Sequence, residues 1–306
     1  MSVKPNQLSR WTTPFSQTEL YTFHNAVDDY GVLGFSIQRS DGSKESACLL
    51  VSEKEHTQRV MYQLFQNGAL YEPFTSAIAV GALRPGDIAL DVGAHVGYFS
   101  TLFRLCVGET GGVFAFEPMP GTYRRLLQNI LGNNFRNVMA LPLALSNETG
   151  EARFYIDANN EGESSLMIRP GLDSCVVQVT SLDDIFHNFL SQRPRVLKLD
   201  AEGVELKILH GAQSFFNTHA PDLVICEHNR GALQNAGISV HDLRQFFETR
   251  GYRSGMINNG HGMEMNGATF YRMVEPGEPF QADDYGYVFN LLFVREESGL
   301  YPEKMV

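Results

Sequence analysis

From Asp87 onward the chain alternates between short apolar runs and segments whose apolar residues recur every three or four positions. "IALDVG" leads into "GYFSTLFRLCV", and "GVFAFEP" into "PGTYRRLLQNILGNN", where Tyr123, Leu126, Leu127, Ile130 and Leu131 fall on one helical face. "VMALPLAL" reads as a third strand, with "ARFYI" and "CVVQVTSL" as further strands. "RVLKLDAEG" then feeds the helix "VELKILHGAQSFF", and "PDLVICEHN" feeds "SVHDLRQFFETRG", with Val240, Leu243, Phe246 and Phe247 together; "YRSGMI" and "NLLFVRE" close the chain. Apolar strands alternating with amphipathic helices predict a mostly parallel sheet covered on both faces. Ligands of such sheets bind beyond the carboxyl ends of the strands, near the reversal of strand order. The candidate positions are therefore Asp91–Gly97, Glu117, Leu145–Ser146, Asp200–Gly203 and Glu227–Asn229.

The first 70 residues follow another pattern. "GVLGFSI" and "SACLLVS" predict a hairpin around Asp41-Gly42, and "EHTQRVMYQLFQNG" a helix stopping at Gly68. A second helix follows Pro73. This suggests an N-terminal extension over 1–70, serving as a lid or dimer arm, ahead of one large domain over 71–306. Two long segments, Asp157–Gly171 and Ile257–Tyr287, interrupt the alternation and are expected to shape a substrate pocket; loops of this kind also make dimer contacts, so a homodimer is one arrangement the sequence allows.

Charge and cysteine usage narrow the partners. A net charge of −11 opposes a polyanion, so nucleic acid is not expected and a small neutral or cationic substrate is. No apolar run reaches bilayer length and no secretory leader is visible, which points to no membrane association and a cytoplasmic location. The four cysteines lack metal or disulfide spacing.

The first βα turn carries the chemistry. A dinucleotide fingerprint would place glycines where His95 and Tyr98 stand, and a His at the closest approach would crowd a pyrophosphate. An NAD-dependent dehydrogenase is accordingly disfavoured. No Gly-Lys-Ser/Thr follows, so a phosphate loop is absent as well. The pattern is Asp91-x-Gly93-x-x-x-Gly97, and Glu117 at the next strand end, aimed by Pro118, can accept both hydroxyls of a ribose. Adenosine without pyrophosphate suggests S-adenosylmethionine. "LRPGDIALDVGAHVGYFS", "VFAFEPMPGTYRRLLQNI", "LPLALSNETG", "TSLDDI" and "LKLDAEGVELKILHGA", in this order, resemble the FkbM family of methyltransferases, and "YEP" at Tyr71–Pro73 resembles its lead-in. The resemblance implies a doubly wound, Rossmann-like methyltransferase sheet of seven strands with an antiparallel last strand. It also implies a cofactor site drawn from Tyr71, Glu72, Asp91, Gly93, Ala94, His95, Gly97, Tyr98, Glu117, Pro118, Leu145, Ser146 and Asp200.

The most charged strand end is "LKLDAEG". Lys198 and Asp200 share a face, and Glu202 continues the alternation. The competing explanation is a buried ion pair holding the loop, with Glu202 or Glu205 starting the next helix. Asp200 is the first candidate for base or substrate-orienting carboxylate, Glu202 the second, Lys198 an orienting group, and His228 a proton carrier at neutral pH. Asp200, Glu202, Glu227 and His228 are also a donor set for Mg²⁺ or Mn²⁺. Three functions remain open at this point: O-methylation of a small sugar or natural-product hydroxyl, N-methylation of an amine or peptide, and a cofactor-binding scaffold without activity.

Overall fold

The computed structural model describes residues 19–25, 30–39, 42–186, 190, 192–235, 237–257, 271–275, 278 and 288–300, and the account below concerns these. The alternating pattern becomes one eight-stranded sheet. Its spatial order is β13 (Tyr271–Met273), β12 (Tyr252–Ile257), β14 (Val288–Arg295), β11 (Leu223–Asn229), β10 (Val196–Leu199), β4 (Ile88–Val92), β5 (Gly112–Phe116) and β6 (Val138–Leu141). β6, β5, β4, β10 and β11 are parallel, and β14 inserts antiparallel between β11 and β12. The seven expected strands are present, and the short β13 adds an eighth at the edge. Strand order reverses between β4 and β10, which opens a crevice at their carboxyl ends.

Strand alternation divides the core in two. Ala89, Val113, Ala115, Val196 and Ile225 pack with α2 (Pro73–Ala82), α3 (Tyr98–Val107) and α4 (Pro120–Gly132). Leu90, Val92, Leu197, Leu199, Val224 and Cys226 pack with α5 (Leu182–Phe186), α6 (Glu205–His210), α7 (Gln213–His219) and α9 (Val240–Glu248). A short α8 (Arg230–Asn235) follows β11. The N-terminal segment forms an antiparallel sheet of β1 (Glu19–Asn25), β2 (Tyr30–Gln38) and β3 (Lys44–Ser52), then α1 (His56–Gln66). Leu33, Phe35, Leu49 and Val51 join Phe65, Phe99 and Phe103 in the first core, so these strands complete the large domain's core rather than enclosing one of their own.

Three predicted elements differ in detail. "VMALPLAL" splits at Pro142, whose missing N–H cannot continue a ladder: β6 stays in the large sheet, and β7 (Leu143–Leu145) joins β9 (Asp173–Thr180) and β8 (Gly150–Ile156) in a small sheet. "VELKILHGAQSFF" breaks into α6 and α7 at Gly211, where a Cβ would lie 2.3 Å from the Ser146 carbonyl oxygen. On α4, Leu131 is 73% exposed, whereas Asn129 is buried. The Asn129 amide bonds the backbone of Leu50 in both directions and donates to the Val96 carbonyl, so a polar residue ties α4 to β3 and to the glycine turn. Most of the predicted substrate segment Ile257–Tyr287 lies outside the described residues.

Candidate active site

The turn after β4 is built around Gly93. Its φ is +76°, and a Cβ there would sit 1.8 Å from the Asp200 carbonyl oxygen. Only glycine lets this turn press against the end of β10. The N–H groups of Gly93 and Ala94 both donate to the Phe116 carbonyl, at 3.0 and 2.9 Å, which joins the ends of β4, β5 and β10. His95 takes a left-handed conformation at φ 50°, and its N–H donates to Glu117 Oε2 at 2.9 Å. The Met119 N–H donates to Glu117 Oε1 at 2.8 Å. Burial pushes the Glu117 carboxyl up to about 7, with the two N–H donors acting in the opposite sense. An ionised carboxylate holding two N–H groups keeps lone pairs for two more donors, as a ribose diol would require.

The second feature is a charged stack on one sheet face. Lys198 is paired in register with Asp91 and is 2% exposed. Its ammonium contacts Asp200 and lies 4.6 Å above the Phe99 ring. Burial works against that charge, but Asp200, Glu72 and Asp91 outweigh it and hold the ammonium above its ordinary pKa. Burial raises the Asp91 carboxyl to about 6, although Lys198 and a 2.5 Å hydrogen bond from Ser100 Oγ favour its charge. For Asp200, burial is overcome by Lys198 and by a hydrogen bond from Glu227, so it titrates below the usual carboxylate range. Glu227 is pushed well above that range by burial and by its acidic neighbours.

Glu202 comes next, left-handed at φ 55°, and accepts from Asn229 Nδ2 at 2.8 Å. Burial raises its pKa well above the ordinary value. Oxygens of Asp200, Glu202 and Glu227 lie within 4.8 Å of one another. Glu205 takes the alternative role foreseen for these acids: it accepts from the N–H groups of Ala201 and Gly203 and so closes the loop at the start of α6.

A cavity of about 260 Å³ opens over these groups. Of the predicted cofactor residues, Tyr71, Glu72, Gly93, Ala94, His95, Tyr98, Glu117, Pro118, Leu145 and Asp200 line it. Tyr71 packs edge-on against Tyr98, and Glu72, at the start of α2, accepts from Asn290 Nδ2 at 2.8 Å. Lys198, Glu202 and Glu227 line the cavity too. Asp91 and Gly97 lie behind the wall: Asp91 holds Lys198 and Ser100, and a Cβ on Gly97 would come within 2.6 Å of Leu126.

Two predicted residues fall elsewhere. Ser146 is buried outside the lining, its N–H continuing the small sheet to the Thr180 carbonyl at 2.8 Å. His228 is displaced by strand alternation. It follows Glu227 on β11 and so points to the opposite face with Val224 and Cys226, away from the cavity and from the carboxylate trio.

Thr57 and Met61 of α1, which the sequence reading missed, also line the cavity. Asn229, in the candidate strand end Glu227–Asn229, lines it on the Glu227 face, and so does the segment Asn160–Ser164, part of the stretch Asp157–Gly171 expected to shape a pocket. Glu161 accepts from the N–H groups of Thr57 and Gln58 at 3.3 Å each, pinning that segment to the start of α1.

The donor set suits a nucleoside with a cationic end: a doubly held carboxylate beside apolar Phe116 and Leu145, then acidic Glu72 beyond the glycine turn. Asp200, Glu202 and Glu227 also bring oxygens close enough together to hold a divalent cation, with Lys198 ion-paired to Asp200.

A parallel sheet with one antiparallel strand inserted near its end, binding at the β4–β10 reversal, defines the class of S-adenosylmethionine-dependent methyltransferases. Residues 91–254, more than half of the chain, match the family model described as "Methyltransferase FkbM domain", and the chain belongs to that family. It is 32% identical over 129 residues to the hexuronic acid methyltransferase AglP of Haloferax volcanii, covering 41% of this chain and 49% of the relative. The chain thus spans about half the length of that curated relative. Among solved structures it is similar to Aeropyrum pernix fibrillarin with bound S-adenosyl-L-methionine, at 13% identity and TM-score 0.41, covering 85% of this chain and 93% of that one. It is also similar to M. jannaschii TYW2 in complex with AdoMet, at 11% identity and TM-score 0.40, covering 90% and 92%. Both likenesses are too distant to assign any residue.

Proposed function

We propose that the protein methylates a hydroxyl of a small acceptor, a sugar or a natural-product intermediate, and that Asp200 receives the hydroxyl's proton. The observation that carries this reading is Asp200 itself: a carboxylate on the cavity wall, kept ionised by Lys198 and by the Glu227 carboxyl, directly beside the glycine turn. When bound, S-adenosylmethionine supplies an electrophilic methyl group on a sulfonium. Glu117 is the acceptor for its ribose, Glu72 and the Gly93–Ala94 turn border its amino-acid end, and Tyr71 and Tyr98 wall the site from water. Asp200 would accept the hydrogen bond of the acceptor hydroxyl and take its proton as the methyl group passes from sulfur to that oxygen, leaving a neutral thioether. Lys198 then faces a protonated rather than an ionised neighbour, and Glu202, fixed by Asn229, orients the acceptor. Positioning of this kind supplies much of the rate in a displacement reaction.

The extension over 1–70 belongs to the acceptor side in this reading, because α1 supplies Thr57 and Met61 to the wall. The described cysteines are all free, which suits a reducing cytoplasm. No helix among the described residues is long and apolar enough to cross a membrane.

The test is methyl transfer from S-adenosylmethionine to a panel of sugars and polyols, followed by mass spectrometry. Asp200→Asn should lower kcat by about 100-fold or more while leaving cofactor affinity nearly unchanged. An Asp200→Asn enzyme with wild-type kcat would remove Asp200 from the chemistry.

A further inference from the structure

We infer that the acceptor carries no negative charge where it meets the cavity: it is an uncharged hydroxyl compound or one bearing an ammonium group, not a carboxylate-bearing sugar such as the hexuronic acid in the name of the AglP relative. The inference rests on the methyltransferase reading and concerns its second substrate.

The acceptor side of the cavity is acidic. Glu161, Glu163, Asp200, Glu202 and Glu227 line that side of the cavity. Against them stand two basic groups among the described lining residues, Lys198 and His95. Neither offers a free positive charge. The Lys198 ammonium is engaged by Asp200 and faces Asp91 and Glu72 as well. The His95 ring lies 3.6 Å from Glu161, and burial lowers its pKa, so it is neutral at physiological pH. Arg169, on the same loop as Glu163, lies 3.8 Å from Asp157 and 3.6 Å from Glu163 and is balanced by them. Asn229, which could turn an amide toward a carboxylate, already donates to Glu202.

A carboxylate brought here would lose its hydration, face this cluster of acids, and find no free cation among the described lining residues. A neutral hydroxyl or an ammonium meets no such opposition. The second would be attracted, since clefts lined by one sign of charge concentrate the opposite ion.

Charged thiol reagents read this directly. Ser164→Cys and Ala201→Cys, two separate variants at small lining positions, are made in a Cys48→Ser/Cys175→Ser background, so that a folding failure in one leaves the other. Each is modified with methanethiosulfonate ethylammonium and with methanethiosulfonate ethylsulfonate, and the rate ratio is referred to a free thiol in solution. Thiolate content cancels in the ratio. The expected result is a cation preference of about tenfold or more at low salt, reduced by Glu163→Gln. A ratio at or below one at both cysteines overturns the inference, as would faster methylation of methyl glucuronide than of methyl glucoside. Titration with S-adenosylhomocysteine on the same variants reports separately on the methyltransferase reading: its failure there leaves the charge ratio standing, and the reverse also holds.

Discussion

Replacing Lys198 by Met tests the charged stack most sharply. The substitution keeps an unbranched chain over the Phe99 ring but removes the ammonium that faces Asp200, Asp91 and Glu72. Breaking one partner out of a buried pair costs about 3–5 kcal/mol, because the other charge is left without compensation. A sulfur–aromatic contact with Phe99 returns about 0.3–1.5 kcal/mol. The expected net loss is therefore about 2–4 kcal/mol near neutral pH. The loss must also depend on pH. In the wild-type protein Lys198 and Glu227 hold Asp200 below the unfolded carboxylate value, so its contribution is present above that value and disappears only as pH falls through the lower folded pKa. In the variant, burial acts unopposed by the ammonium and the folded pKa rises above the unfolded one. The folded variant then binds protons more tightly and gains stability as pH falls, so the gap to wild type narrows as pH falls toward the ordinary carboxylate value. Urea unfolding of both proteins, followed by circular dichroism at several pH values, measures this gap. A variant as stable as wild type at neutral pH, or a gap independent of pH, would refute the reasoning.

Other outcomes follow from the same geometry. Gly93→Ala places a methyl group 1.8 Å from the Asp200 carbonyl oxygen at a φ of +76°; left-handed strain and overpacking together cost about 2–5 kcal/mol, read as a lowered urea midpoint with S-adenosylhomocysteine binding lost. In the ligand-free protein, burial raises Asp91 to about 6 and Glu117 and Glu205 to about 7. The native state then holds more protons than the unfolded chain between the ordinary carboxylate value and these pKa values. Stability should accordingly fall as pH rises through that window, by up to about 1.4 kcal/mol per pH unit for each group, and unfolding midpoints across the window show whether the slope has this sign. His228→Leu should lower thermal stability yet leave kcat within about threefold of wild type, since the ring lies on the other face of β11; a hundredfold drop in a folded variant would return His228 to the chemistry.

The sheet and the cofactor end of the site were legible because their signals are local. A strand, a glycine turn and an acid at the next strand end lie within a short span, and Gly93, His95 and Glu117 come together as that span implies. Lys198 and Asp200 were legible through the period of two along a strand. The same period sorts the candidate strand end Glu227–Asn229: Glu227 and Asn229 share the cavity face, and His228, one residue off, turns away. The part that α1 plays on the acceptor side was hidden for another reason. Thr57 meets Asn160 across 103 positions, and Glu161 reaches Thr57 across 104, so no local pattern marks either partner. Leu131 and Asn129 show the limit of apolar periodicity: the amide is buried because it completes hydrogen bonds to β3 and to Val96, while the leucine stays in solvent. Gly211 breaks a continuous helical pattern only because the Ser146 carbonyl approaches it from a distant loop.

The central claim is that the cavity over Gly93 and Glu117 binds the cofactor while Asp200 is reserved for the acceptor. Calorimetric titration with S-adenosylhomocysteine, on wild type, Glu117→Ala and Asp200→Asn, tests it most directly. Removing Glu117 deprives the ligand of its ribose acceptor and leaves the N–H groups of His95 and Met119 without a partner. The account predicts saturable binding to wild type, weakening by about tenfold or more in Glu117→Ala, and affinity within about threefold of wild type in Asp200→Asn. Folded wild-type protein that binds no S-adenosylhomocysteine, or a Glu117→Ala variant that binds it equally well, would contradict the account.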